Sequence, residues 1–564
     1  MRLLLPLALT GLLGACASAP HPTPAPINLS NWQQPDPQQL PLALDNLSHG
    51  NPEQALDYLR AFSYFGDPDT LSEPQQAQLH QAMLTRGETL DALNQPRLAE
   101  QWAVTLYRYY GQEGLQDKAV ELLPALTRQL ERFAQQSPQS LAQEYALWEL
   151  LRAPGLLMHK VRRKDEDNPL RQALSAQSLA SVMKTYASSA GAQYDGQDWP
   201  QQNAYWVLAH QRLLLDEEAA TAQDDAVAEI ARSDLANRGD AAKEAFTLGY
   251  LVNAFLGQEA CKETYGDICA IPEPDAVLPI THACTDRLVI RTQDLSPEEL
   301  AISCERLTSQ EDHFHSLLST GMNPVVNDHN TALEVVVFKN WSQYNAYGQL
   351  LFDIGTDNGG MYIEGIPQAE GNQARFFAFR GWWLPEYNVW NLNHEYVHYL
   401  DGRYIKYGGF GHFPGQMVWW AEGLAEYISK GEDNRQAQKL LKDTEQEEWL
   451  DLETIFATEY SDGLDRTYRW SYMAVRYLSE QDPEQLRAIT HPLKGDYAEG
   501  YAEALASTAA AHQAGFQKWL VQWAETPLPE EANASPYPRK LNRYGYRDYL
   551  RPPQLANTEG HLHF

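Results

Sequence analysis

The sequence predicts an α+β fold, in which a long all-helical stretch precedes a segment of strands that gives way again to helices. Three observations carry this. From about residue 40 to 250, apolar residues recur at i, i+3, i+4 and i+7 in segments such as 98–110, 115–134 and 141–161, separated by short polar breaks. The composition then changes around four clustered cysteines, after which 332–338, 360–364 and 374–379 read as strands. From residue 389 to about 524 the helical period returns, and a sheet followed by helices is the α+β order.

A chain of 564 residues exceeds one ordinary core, so two or three packed units are expected. Hydrophobic residues at 43% and charged residues at 21% are the profile of a globular protein. A formal net charge of −32 excludes nucleic acid as a ligand, because phosphate binding needs basic surface. It also excludes a polybasic membrane-surface mechanism. The 30 tyrosines and 15 tryptophans suit either a groove that grips polymer by stacking or simply a large core.

Residues 1–16 read as a targeting segment: Arg2 is the positive start, and Leu3 to Leu13 form an apolar run too short to span a membrane. Leu13-Gly14-Ala15-Cys16 resembles a lipobox, in which Cys16 is lipidated and begins the mature chain. An ordinary cleaved signal peptide is the alternative. The stretch 17–40 is a Pro-rich tether. Residues 41–280 are expected to form a helical-repeat domain without a clean fixed period. Residues 281–564 form a second domain, divided into a sheet-bearing part at 281–415 and a helical part with an irregular tail at 416–564. Export accounts for Cys261, Cys269, Cys284 and Cys304 as two disulfides. Three pairings are open; loop length favours Cys261–Cys269 with Cys284–Cys304. A four-thiolate zinc site is the alternative, although the spacing lacks any C-x2-C pair.

The chemistry concentrates at His394-Glu395-Tyr396-Val397-His398. On a helix, two histidines four residues apart share a face and reach one metal ion, while the intervening Glu395 stands ready as general base. A catalytic zinc needs a third protein ligand. Trp419-Trp420-Ala421-Glu422-Gly423-Leu424-Ala425-Glu426-Tyr427 supplies two carboxylates on one face of an otherwise apolar helix, which would be costly without cations to face. Glu422 is assigned to the metal, and Glu426 to the outer N–H of a ligand histidine. Exposure of either carboxylate to solvent is the competing reading.

These two stretches, His394 to Tyr404 and Trp419 to Tyr427, resemble the bacterial collagenases of the M9 peptidase family, particularly the Vibrio-type branch. Further matches lie in 356–365, in the Cys284-to-Cys304 stretch and in the aromatic stretch 468–477. The resemblance implies a thermolysin-like zinc peptidase domain, with a mixed sheet above and helices below, preceded by a helical activator domain, together saddle-shaped. It also makes Glu422 the third ligand. Gly359 and Gly360 would lie beside substrate backbone on a glycine-rich edge strand, where a missing side chain permits close pairing; an ordinary turn is the alternative. Tyr468 matches the position that donates to the oxyanion, with Tyr472 as the fallback and a core tyrosine as the bland reading. Glu364 matches a calcium-binding glutamate, which adds Ca2+ as a second candidate cation beside the catalytic Zn2+.

The expectation is therefore a monomeric zinc endopeptidase acting on collagen, gelatin or collagen-derived peptides. It would be exported, as an outer-membrane or cell-surface lipoprotein or else secreted, and would meet the membrane only through its N-terminal lipid. The sequence ends soon after the peptidase stretch, which favours soluble chains over fibrils as substrates. Two alternatives remain: a lipid-anchored endopeptidase of other proteins, and a collagen-peptide-binding lipoprotein with a vestigial zinc site.

Overall fold

The computed structural model describes residues 23–529 apart from 30–34, 113, 193–198, 255–257, 357–358, 382–386, 410–411 and 413–414. Cys16 with its targeting segment, part of the tether and the expected C-terminal tail lie outside the described residues. No helix among the described residues is long and apolar enough to cross a membrane.

The chain divides into two compact units, Met1–Val182 and Met183–Phe564. The first is built from helices, among them Leu40–His49, Pro52–Phe65, Pro96–Tyr109 and Leu141–Val161. Prolines at the first turn begin several of these, where the missing N–H has no partner to lose, and Asn51 caps one by accepting from the Gln54 amide. Their apolar faces interlock through wholly buried Leu44, Leu56, Trp102, Tyr109 and Leu147. A set of charges runs through this core. Arg60 donates to Glu100 at 2.8 Å, and Glu149 accepts from Tyr107 at 3.1 Å and pairs with Arg152 at 3.4 Å. All four charged side chains are at most 3% exposed, so each charge depends on its partner.

In the second unit the sheet comprises β1 (Ile280–Thr285), β2 (Leu288–Thr292), β3 (Leu333–Phe338), β4 (Met361–Ile363) and β5 (Arg375–Phe379), in the order β1-β2-β3-β5-β4. The central β2-β3-β5 ladder is parallel, and β1 and β4 run antiparallel on the two edges. The mixed sheet among many helices is the expected α+β architecture. The three expected strands form at β3, β4 and β5, whereas β1 and β2 were not foreseen. Alternation along β3 sends Val335 and Val337 to one face, with Phe376 and Ala378 of β5. Val336 and Phe338 go to the other, with Phe377 and Phe379. The first face packs on Leu392, Tyr396, Val397 and Leu400, which places a helix directly beneath the sheet. Against the second lie Tyr344 and Leu350 of the helix Trp341–Phe352, together with Leu248 and Val252. Those last contacts draw residues before 280 into the second unit, so the compact division falls earlier than the composition change. Both favoured disulfides form, Cys261–Cys269 and Cys284–Cys304, which removes the four-thiolate alternative.

Replacing Glu100 by alanine removes the nearest charge partner of the buried Arg60 guanidinium and leaves Gln101 at 3.3 Å and the more distant Glu149 at 3.9 Å beside it. Denaturant unfolding of the Glu100→Ala chain is expected to show the helical unit destabilised by about 3–5 kcal/mol.

Candidate metal centre

Two helices build the site. The first, Leu392–Tyr404, follows Asn391, whose left-handed φ of 56° turns the chain sharply into it. His394 and His398 lie one turn apart on it, with ring centroids 4.9 Å apart and planes at 83°. The second, Val418–Lys430, is buried nearly throughout, with Trp419 and Trp420 wholly inside. Trp420 donates to Asp401 at 2.9 Å and so pins it to the first helix. Glu422 points across: its Oε2 lies 3.0 Å from His394 Nε2 and 3.7 Å from His398 Nε2. One ligand atom from each of His394, His398 and Glu422 falls within 4.8 Å of the others, and the three can hold a metal ion. Two imidazoles and a carboxylate are a donor set that suits zinc.

A family model described as collagenase, of the M9 peptidases, matches residues 201–519. The chain belongs to the M9 collagenase family. It is 39% identical over 253 residues to a microbial collagenase of Vibrio vulnificus, covering 44% of this chain and 31% of that one. Against a microbial collagenase of Vibrio alginolyticus it is 39% identical over 247 residues, 43% of this chain and 30% of the other. A collagenase, ColT, of Clostridium tetani is 26% identical over 202 residues, 33% of this chain and 19% of that protein. The higher identities place this M9 chain with the Vibrio-type branch. Each alignment spans less than a third of the relative's own length.

Around this M9 cluster the remaining expected residues take defined places. Glu426 Oε1 stands 3.3 Å from His394 Nδ1, while its Oε2 accepts from Lys430 and, at 3.3 Å, from Asn434. Glu395 is buried, and its Oε2 accepts from the Tyr362 amide of β4 at 3.1 Å. Gly359 and Gly360 lead into that edge strand. Gly360 has a φ of +119°, and a Cβ there would stand 2.9 Å from the Phe377 carbonyl, so only glycine is at ease. Tyr468 sits on a π-helical turn, Asp465–Trp470, with its ring 6.0 Å from that of His394. Tyr472 is wholly buried and donates to the Gly431 carbonyl at 2.8 Å, which makes it a core tyrosine and ends its role as fallback. Glu364 packs against Gly402 of the first helix, where a Cβ would lie 1.9 Å from its Oε1. Among the described residues Glu364 joins no cluster of three metal-binding side chains. Arg403 pairs with Asp328 at 3.3 Å and donates to the Asn330 carbonyl, a structural contact.

One residue went unforeseen. Tyr460 donates to Glu422 Oε1 at 2.8 Å. Nothing in its spacing from the histidines announces it, because the connection from helix to helix, not a helical period, brings it in.

Between these protein groups, charge is shared tightly. Burial alone would lower the His394 imidazole, yet its bonds to Glu422 and Glu426 outweigh burial and hold it at about 10. Burial wins at His398, whose carboxylate contact is longer, and brings it down to about 3. Burial would also raise Glu422, but the facing imidazoles and the Tyr460 phenol keep it ionised, at about 2. Glu395 is pushed up to about 7 by burial, which His394 only partly offsets. Burial likewise raises Glu364 to about 7, with Lys406 opposing.

A raised pKa means that His394 holds its extra proton at pH 8, and a metal needs the lone pair that this proton occupies. Titration of the metal-stripped protein with zinc at pH 8 in weak buffer is expected to release about one proton per chain. Uptake without proton release would mean either that His394 is already neutral before the metal arrives or that the metal binds elsewhere.

Proposed function

We propose that this chain is a zinc-dependent endopeptidase that hydrolyses peptide bonds in collagen- or gelatin-type chains, with His394, His398 and Glu422 as the zinc ligands. The observation that carries this is the convergence of those three side chains beside a buried Glu395 in a member of the M9 collagenase family. The Vibrio vulnificus and Vibrio alginolyticus relatives bear the name microbial collagenase, which supports the substrate class.

Zinc held there would polarise the scissile carbonyl and acidify a water molecule. The protein's own groups do the rest. Glu395, fixed by the Tyr362 amide, takes the proton of the attacking water and passes it to the leaving amine. Its pKa near 7 suits both halves of that exchange. Glu426, itself held by Lys430 and Asn434, orients His394 through Nδ1 so that Nε2 faces Glu422. Tyr468 donates to the developing oxyanion, and burial keeps its phenol protonated far above neutral pH. Gly359 and Gly360 admit the substrate backbone to the open edge of β4.

The same proposal takes residues 41–280 as the helical activator domain and 281–564 as the peptidase domain. Glu364 would contribute to a calcium site completed by backbone carbonyls. The protein would work as an exported monomer anchored through lipid on Cys16.

Glu395→Ala is expected to keep one zinc per chain while losing about 10²–10⁴-fold in kcat on a fluorogenic collagen-type peptide. Gelatin is expected to be cut faster than casein. Equal or faster casein cleavage would move the assignment to a general endopeptidase, and zinc binding without any cleavage would remove the catalytic one.

A further inference from the structure

We propose that Tyr460 is a positioning residue that holds Glu422 as a one-oxygen metal ligand and so keeps a place at the metal open for water and substrate. This rests on the metal reading given above and goes further into the same site.

Glu422 presents its two oxygens to different partners. Oε2 faces both imidazoles, at 3.0 Å from His394 and 3.7 Å from His398, and is the atom placed to meet a shared cation. Oε1 is engaged by the Tyr460 hydroxyl at 2.8 Å. A carboxylate with both oxygens at liberty binds a cation through one or through both. A second oxygen on the metal would occupy the position that a catalytic zinc must leave open. With Oε1 bonded to the phenol, the carboxylate is turned so that one oxygen serves the metal.

The manner in which Tyr460 is held fits this task and not a packing role. A core tyrosine buries its ring, whereas Tyr460 is 55% exposed and sends its hydroxyl inward to a carboxylate that is itself 5% exposed. The short turn Tyr460–Asp462 that carries it is braced on both sides. The Glu459 amide donates to Asp462 Oδ2 at 2.9 Å, and Arg466 reaches back to Asp462 at 3.1 Å and to Thr458 Oγ1 at 3.1 Å. Arg466 belongs to the π-helical turn that presents Tyr468. The two tyrosines therefore share one rigid segment, with one phenol on a metal ligand and the other over His394. Because the Tyr460 ring is largely outside, Tyr460→Phe removes a hydroxyl and little packing, and the variant is expected to fold.

The test compares the full chain with its Tyr460→Phe variant. Zinc affinity is read by competition with a chromophoric chelator, geometry by the visible absorption of the cobalt(II)-loaded proteins, and turnover on a collagen-type peptide as separate kcat and KM. The variant is expected to bind one metal per chain, about 10–100-fold more weakly. Its cobalt absorption is expected to weaken as the four-coordinate geometry is lost, and kcat to fall with KM unchanged. An unaltered cobalt spectrum together with unaltered zinc affinity would overturn the role of Tyr460 and leave the metal site standing. Failure of the parent chain itself to take up zinc or cobalt would instead overturn the metal reading, and this inference with it.

Discussion

Burial of two carboxylates one helical turn apart is the constraint around which the second unit is arranged. Glu422 and Glu426 project from a helix that is otherwise packed with Trp419, Trp420, Leu424 and Ala425, and each is about as buried as those neighbours. An uncompensated charge in such a place costs several kcal/mol, so the surrounding structure must supply positive charge and hydrogen-bond donors. His394 bridges the two carboxylates, Lys430 and Asn434 serve Glu426, and Tyr460 serves Glu422. Gly423, between the two acids in sequence, lets the backbone at Ser471 approach so closely that a Cβ would lie 2.5 Å from its carbonyl oxygen. That approach brings the Tyr468 segment over the site.

The sheet fixes what the helices cannot fix alone. With β3 buried on both faces, the His-bearing helix rests on a layer that has little freedom to shift. The edge strand β4 then reaches back, and its Tyr362 amide sets the direction of the Glu395 carboxylate. The proposed base is thus oriented by the same strand that is proposed to receive the substrate backbone, so both are referred to one rigid element.

Parts of this were legible in the sequence for physical reasons. The two histidines and the two glutamates are separated by helical turns, so spacing alone predicts that each pair shares a face, and it does. β3, with its run of three valines, reads as a strand because few other contexts bury a β-branched run so fully. The strands β1 and β2 escaped notice: Ile280–Thr285 alternates between half-buried and exposed and carries few aliphatic residues, so its pattern is faint, and Leu288–Thr292 is aliphatic but only five residues long. The helices before residue 280 announced themselves as helices but not their partners. Periodicity reports which face of a helix is apolar, not that Leu248 and Val252 will cover Phe338. Tyr460 was invisible for the same reason, since its role depends on a loop closing in space.

The Cys284–Cys304 bond closes a loop of 20 residues in the part of the chain that supports the site. Within that loop Ser303 meets the Tyr387 hydroxyl, and two residues beyond it the Arg306 carbonyl accepts a hydrogen bond from Asn393, beside His394. Such a crosslink acts mainly on the unfolded chain, by removing conformations it could otherwise explore, and is worth about 3 kcal/mol for a loop of this size. That share of the stability belongs to the polypeptide before any cation arrives. It is withdrawn by reductants and not by chelators, so the scaffold that positions His394 and the metal it is proposed to hold answer to two different chemistries of the surroundings.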